Sequence, residues 1–161
     1  MITLDFRRFV LGLGIVTLLI APASAKNLLT ARHSAVQPFT ATGYLKIAAG
    51  SVGGPYIQNF TADKAETVMI SFSAVCSTSG TSNQYTTIRI LLDGLYLYPA
   101  NQLDDAFCST AGATSVAHGL DTHTVITAVP VGAGIHGIQV RVIPQNGGTS
   151  RIDNLSLLVW N

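Results

Sequence analysis

Apolar and polar residues alternate along most of this chain, with a period of two. In VMISFSAVC, Val68, Ile70, Phe72, Ala74 and Cys76 fall on one face, and Met69, Ser71 and Ser73 on the other. GIQVRVIP repeats the pattern: Ile138, Val140 and Val142 oppose Gln139 and Arg141. THTVITAVPV, residues 122–131, is a third β-branched run, stopped by Pro130 and Gly132. Such alternation marks half-buried strands. Shorter strands are expected near 36–42, 43–48 and 55–60. No segment after residue 26 holds a 3.6-residue period with helix caps.

Glycine, asparagine and serine clusters separate the runs. GSVGGP (50–55), STSGTSN (77–83) and QNGGTS (145–150) are loops with candidates for positive φ. Seven or eight short strands at this spacing predict an all-β fold, an antiparallel β-sandwich of jelly-roll type. A closed barrel is the rival. The last run, LSLLVW (155–160), is apolar on both faces: Leu155, Leu157 and Val159 against Leu158 and Trp160. A strand of that kind sits inside a sheet, covered on both sides. The C-terminus is therefore expected at the centre of a sheet or beneath another subunit.

The hairpin LLDGLYLYP (91–99) carries the clearest contact signal. Asp93-Gly94 between apolar runs predicts a two-residue type I′ turn. The implied register sets Leu92 against Leu95, Leu91 against Tyr96, Ile90 against Leu97 and Arg89 against Tyr98. Cross-strand partners share a face. Ile90, Leu92, Leu95 and Leu97 then form the core side. Arg89, Leu91, Tyr96 and Tyr98 form an outward aromatic face, with Arg89 placed to stack on Tyr98. With Trp160, these are the candidate ligand or interface residues. The loop that follows, PANQLDDAFCSTAG (99–112), is long for a hairpin domain, and folding over the tyrosines is the alternative to their being a contact face.

Residues 1–25 stand apart from this pattern. Arg7 and Arg8 precede the apolar run Phe9–Ile20, and Ala23-Ser24-Ala25 is a small-residue cleavage site. The run is too short for a membrane span, so the segment reads as a signal peptide. Arg7-Arg8 loosely fits a twin-arginine signal. Residues 26–35 are expected to be a leader and 36–161 one domain. The protein is expected outside the cytoplasm, secreted or periplasmic, with no membrane attachment after cleavage. Export makes a Cys76–Cys108 bridge the expected state of the two cysteines.

Charge narrows the partners. Hydrophobic residues make up 48% and charged residues 11% of the chain, against roughly 25% charged in an average soluble domain. In residues 26–161 seven basic and seven acidic side chains balance. Nothing is basic enough to attract nucleic acid or an anionic membrane.

Catalytic and metal signals are thin. AHGLDTHT (117–124) collects His118, Asp121 and His123, but a metal site needs three or more convergent ligands, and ordinary loop histidines explain the cluster. Asp104-Asp105 lacks the alternating carboxylates of a calcium loop. No G-x-S-x-G, phosphate loop or dinucleotide fingerprint occurs. No cofactor is expected. Asn59-Phe60-Thr61 and Asn154-Leu155-Ser156 are glycosylation sequons of the kind chance supplies.

GAGIHGIQVRV (132–142), a Ser/Gly-rich turn and RIDNLSLLVW (151–160) resemble the ending of C1q/TNF-like jelly-roll domains, and LLDGLYLYP resembles their hydrophobic hairpin. The resemblance implies a trimeric, non-catalytic recognition module. It covers under half of the chain, matches no binding motif of that family, and leaves Cys108 and its loop unexplained. Three functions follow: an exported, self-associating interaction module; a monomeric carbohydrate or surface-ligand binder using Tyr96 and Tyr98; or a small secreted hydrolase using His118, Asp121 or His123.

Overall fold

A computed structural model describes residues 25–47, 56–80, 83–98, 106–110 and 121–161. The proposed signal peptide, apart from Ala25, lies outside these residues, as do His118, Asp104 and Asp105. The described chain is an antiparallel β-sandwich. In chain order its strands are β1 (Asn27–His33), β2 (Gln37–Phe39), β3 (Gly43–Tyr44), β4 (Gln58–Ala62), β5 (Glu66–Ser79), β6 (Tyr85–Leu92), β7 (Leu95–Tyr98), β8 (Cys108–Ser109), β9 (Asp121–Val131), β10 (Gly134–Pro144) and β11 (Thr149–Trp160).

One sheet runs β1-β11-β5-β9, with β2 also on β11. The other runs β3-β10-β6-β7, with β4 on β10 and β8 on β6. Leaving aside the short strands β2, β3 and β8, the orders are first-eighth-third-sixth and second-seventh-fourth-fifth. Apart from the β6–β7 hairpin, consecutive principal strands cross between sheets as in a jelly roll. The sandwich architecture is as the periodicity predicts.

The expected faces hold in the long strands. Val68, Ile70, Phe72, Ala74 and Cys76 are buried, as are Ile138, Val140 and Val142. LSLLVW is central: β11 lies between β1 and β5, with Leu155, Leu157 and Val159 in the core. Leu158 and Trp160, on its outer face, are half-buried. The expected leader is instead largely β1, pairing with β11 from Asn27 to His33. Its alternation is hidden by two adjacent leucines, Leu28 and Leu29, beside a bulge.

Between the sheets the disulfide forms as expected, joining Cys76 of β5 to Cys108 of β8. Beside it lies a buried hydroxyl chain. Thr78 bonds Thr86 at 2.7 Å, and Thr86 bonds Ser150 at 2.6 Å. A hydroxyl can donate and accept, so Thr86 serves both of its hydroxyl neighbours.

Candidate functional site

The outer face of the β3-β10-β6-β7 sheet gathers the polar aromatic chemistry. Arg141 of β10 stands opposite Tyr44 of β3 on one side and Arg89 of β6 on the other. In the next row Leu91 lies between Gln139 and Tyr96. Strand parity requires all of these to face away from the core, because Val140, Val142, Ile88, Ile90 and Leu45 face into it.

The side chains connect across three strands. The Arg89 guanidinium lies 5.1 Å from the centre of the Tyr96 ring, a cation–π contact. Arg141 donates through Nη1 to the Tyr96 hydroxyl at 3.1 Å, and its guanidinium sits 6.0 Å from the Tyr44 ring. Hydrogen bonds from Arg89 and then Arg141 hold the Tyr96 phenol below the usual phenolic range. Tyr44 and Tyr96 are 42% and 40% exposed, so ring surface remains open to a ligand.

Tyr44 also lines a groove of about 300 Å³ with Phe39, Tyr56, Val36 and Lys46. Gln37 closes one wall: its amide accepts from Lys46 N and donates to Lys46 O, both at 2.8 Å. The groove and the Tyr44–Arg141–Tyr96–Arg89 row share Tyr44 and form one strip.

The hairpin departs in part from its expected register and faces. The turn is type I′-like as expected, with φ of 51° at Asp93 and 81° at Gly94. Leu92–Leu95 and Leu91–Tyr96 pair as expected, but the register then shifts and Ile90 opposes Tyr98. The bulge leaves Leu97 as the extra residue, and both Leu97 and Tyr98 pack against the core. Tyr98 therefore leaves the outward face, and Arg89 stacks on Tyr96 instead. Leu95, assigned to the core, is 73% exposed at the tip of an edge strand. Trp160 lies on the outer face of the other sheet, beside Met69, and takes no part in this strip.

Tyr44, Tyr56 and Arg141 were not among the sequence candidates. Parity in GYLKI (43–47) and GIQVRVIP already turns Tyr44 and Arg141 outward. Their meeting depends on β3 and β6 flanking β10, which no local pattern encodes.

Asp121 and His123 share the inward face of β9, as their parity predicts. His123 packs its ring 5.3 Å from Phe107, a structural role. Among the described residues no three His, Cys, Asp or Glu side chains converge on a metal-sized site.

The structure does bring together another pair. His136 Nδ1 meets Asp93 Oδ2 at 2.8 Å, while Nε2 meets the Gly132 carbonyl at 2.9 Å. Asp93 Oδ1 also accepts from Gly137 N at 2.8 Å. Both imidazole nitrogens face acceptors, so both bonds form only when the ring carries two protons. The bonds to Asp93, then Gly132, raise the His136 pKa above its ordinary 6.5. Partial burial pushes the Asp93 carboxyl up, but His136 and Gly137 outweigh it and leave it below 3.8. This clasp pins the β6–β7 turn to the β9–β10 turn.

The sign of the resulting pH dependence follows. A raised histidine stabilises fully below the unfolded value of 6.5 and loses that contribution as pH climbs through the folded value. A lowered aspartate stabilises above 3.8 and loses it as pH falls through its own folded value. The gap in melting temperature between wild type and His136→Ala should therefore be widest near pH 4–6 and narrow at alkaline pH. Thermal melts across pH check this, and a gap that grows above pH 8 contradicts it.

No family model matches the sequence, and no curated protein matches it either. Among solved structures, the chain is similar to a family 35 carbohydrate-binding module from Clostridium thermocellum, at 17% identity and a TM-score of 0.39, covering 80% of this chain and 97% of that one. It is similar to the VP2 subviral particle protein of infectious bursal disease virus at 18% identity and a TM-score of 0.49, covering 86% of this chain and 33% of VP2. A family 35 module from Paenibacillus barcinonensis shows 13% identity and a TM-score of 0.31, covering 84% of this chain and 92% of that module.

Proposed function

We propose that this protein is a carbohydrate-binding β-sandwich, and that its ligand lies along the outer face of the β3-β10-β6-β7 sheet. One observation carries the reading: two part-exposed tyrosine rings, Tyr44 and Tyr96, bracket the Arg141 guanidinium on a rigid sheet. A sugar ring offers an apolar C–H face and a rim of hydroxyls. Tyrosine supplies a flat apolar surface at low entropic cost, and guanidinium supplies several donors in a fixed plane. Alternating rings and donors along a sheet match a chain of sugars better than a compact metabolite. The groove beside Tyr44 extends the strip toward Tyr56.

The strip is built on strands and locked by cross-strand contacts, so little ordering entropy is lost on binding. In this reading the protein is a recognition module with no catalytic step of its own.

Tyr44→Ala and Tyr96→Ala should each weaken binding to glycans retained on an array by about tenfold or more, with little change in melting temperature. Tyr98→Ala should instead lower stability, because Tyr98 packs on the core. If both outward variants keep wild-type binding, the ligand surface is elsewhere.

A further inference from the structure

The sandwich has four sheet edges, and three of them are blunted. β1 is seven residues long, bulged, and carries Arg32. β3 and β4 are two and five residues long and lie end to end along β10. β7 has four residues and a bulge. Such features stop edges from pairing with other chains.

β9 has none of them along most of its length. It runs eleven residues, and its register with β5 is unbroken from Asp121–Cys76 to Val131–Glu66. Among the described residues it pairs on one side only, with β5. No Lys, Arg, Asp or Glu occurs from Thr122 to Val131, and its one proline, Pro130, stands next to the end. Threonine, valine and isoleucine dominate it, the composition that pairs most readily.

Two rows of the outer face next to this edge carry apolar side chains. Ile126, 58% exposed, heads a row that continues through Ser71 to Leu158. Ala128 heads the next row, through Met69 to Trp160.

We infer that β9 is a self-association edge. Two copies of the chain add their β9 strands antiparallel, fusing two β1-β11-β5-β9 sheets into one across a two-fold axis. A second copy is the partner the strand itself selects. From Thr122 to Val131 the strand is uncharged, so this stretch meets no repulsion from its own copy and holds no charge pattern that would favour a different chain. The balanced charge of residues 26–161 removes long-range repulsion between copies. Keeping both outer faces on the same side requires paired residues of equal parity. A register centred on Val125 meets that condition: Thr124 opposes Ile126, Thr122 opposes Ala128, and Pro130 lies beyond the ladder. This self-association is independent of the glycan strip, which lies on the other sheet.

Light scattering on the purified protein tests the inference. Wild type is expected at twice the monomer mass. Ile126→Lys and Thr124→Lys place a charge beside the edge at exposed positions and should each give a monomer that still melts cooperatively. Ile135→Lys, at a 74%-exposed position on the other sheet, should remain dimeric. A wild-type monomer up to about 0.1 mM, a trimer, or a dimer that survives both β9 substitutions overturns it.

Discussion

Phe72→Ala should lower stability by about 3–5 kcal/mol, the largest loss expected from any single side chain here. Phe72 is the largest fully buried side chain, at 0% exposure. It sits on β5, between Val125 of β9 and Leu157 of β11, and its ring centre lies 5.7 Å from that of Phe107. Truncation removes a ring from a site walled by sheet on two sides, where the backbone has little freedom to collapse into the void. A midpoint decrease of roughly 10–20 °C is expected in a thermal melt. A loss under about 1 kcal/mol would mean that this part of the core is looser than the burial implies.

Removing the disulfide has the next largest effect. Cys76 and Cys108 are 32 residues apart, and closing a loop of that size restricts the unfolded chain by about 3–4 kcal/mol. Cys76→Ala with Cys108→Ala removes the cross-link without burying an unpaired hydroxyl at positions only 1% and 6% exposed. Denaturant titration should show the loss in full in the double variant, and reductant should produce a similar loss in wild type. The two sites are coupled. Cys108 adjoins Phe107, whose ring faces Phe72. Without the bridge, Phe107 is less firmly held, and Phe72→Ala should cost less than in the oxidised protein. Additive losses would show that the β6 contacts alone position Phe107; one of these is the bond from Phe107 N to Thr86 O at 2.7 Å.

How far the chain announces this structure depends on the range of the signal. Period-two alternation places Val68, Ile70, Phe72 and Ile138 in the core without knowledge of any partner strand. Asp93-Gly94 likewise marks its turn from two residues. The alternation fails at bulges. Leu97 and Tyr98 both pack inward because one extra residue enters β7, and nothing in LYLYP marks which residue is extra. It fails too at β1, where two neighbouring leucines obscure the parity.

The candidate site was legible only in part. Leu91 and Tyr96 emerge from the hairpin alone, since the turn sets their pairing, and parity along β6 puts Arg89 on the same face. Tyr44 and Arg141 join them through strand order, which brings β3 and β10 alongside β6. The His136–Asp93 clasp spans 43 residues. Asp93 is explained locally by its turn, and its second role depends on β10 running beside β6.

In the proposed function, sugar lies on Tyr44, Arg141 and Tyr96. The most direct test is NMR shift mapping of the protein titrated with the oligosaccharides that a glycan array retains. Saturable shifts are expected in the Tyr44 and Tyr96 rings and the Arg141 guanidinium, with Trp160 on the opposite sheet unmoved. Shifts centred on Trp160 or the β1–β11 face, or an array that retains no glycan, would contradict it.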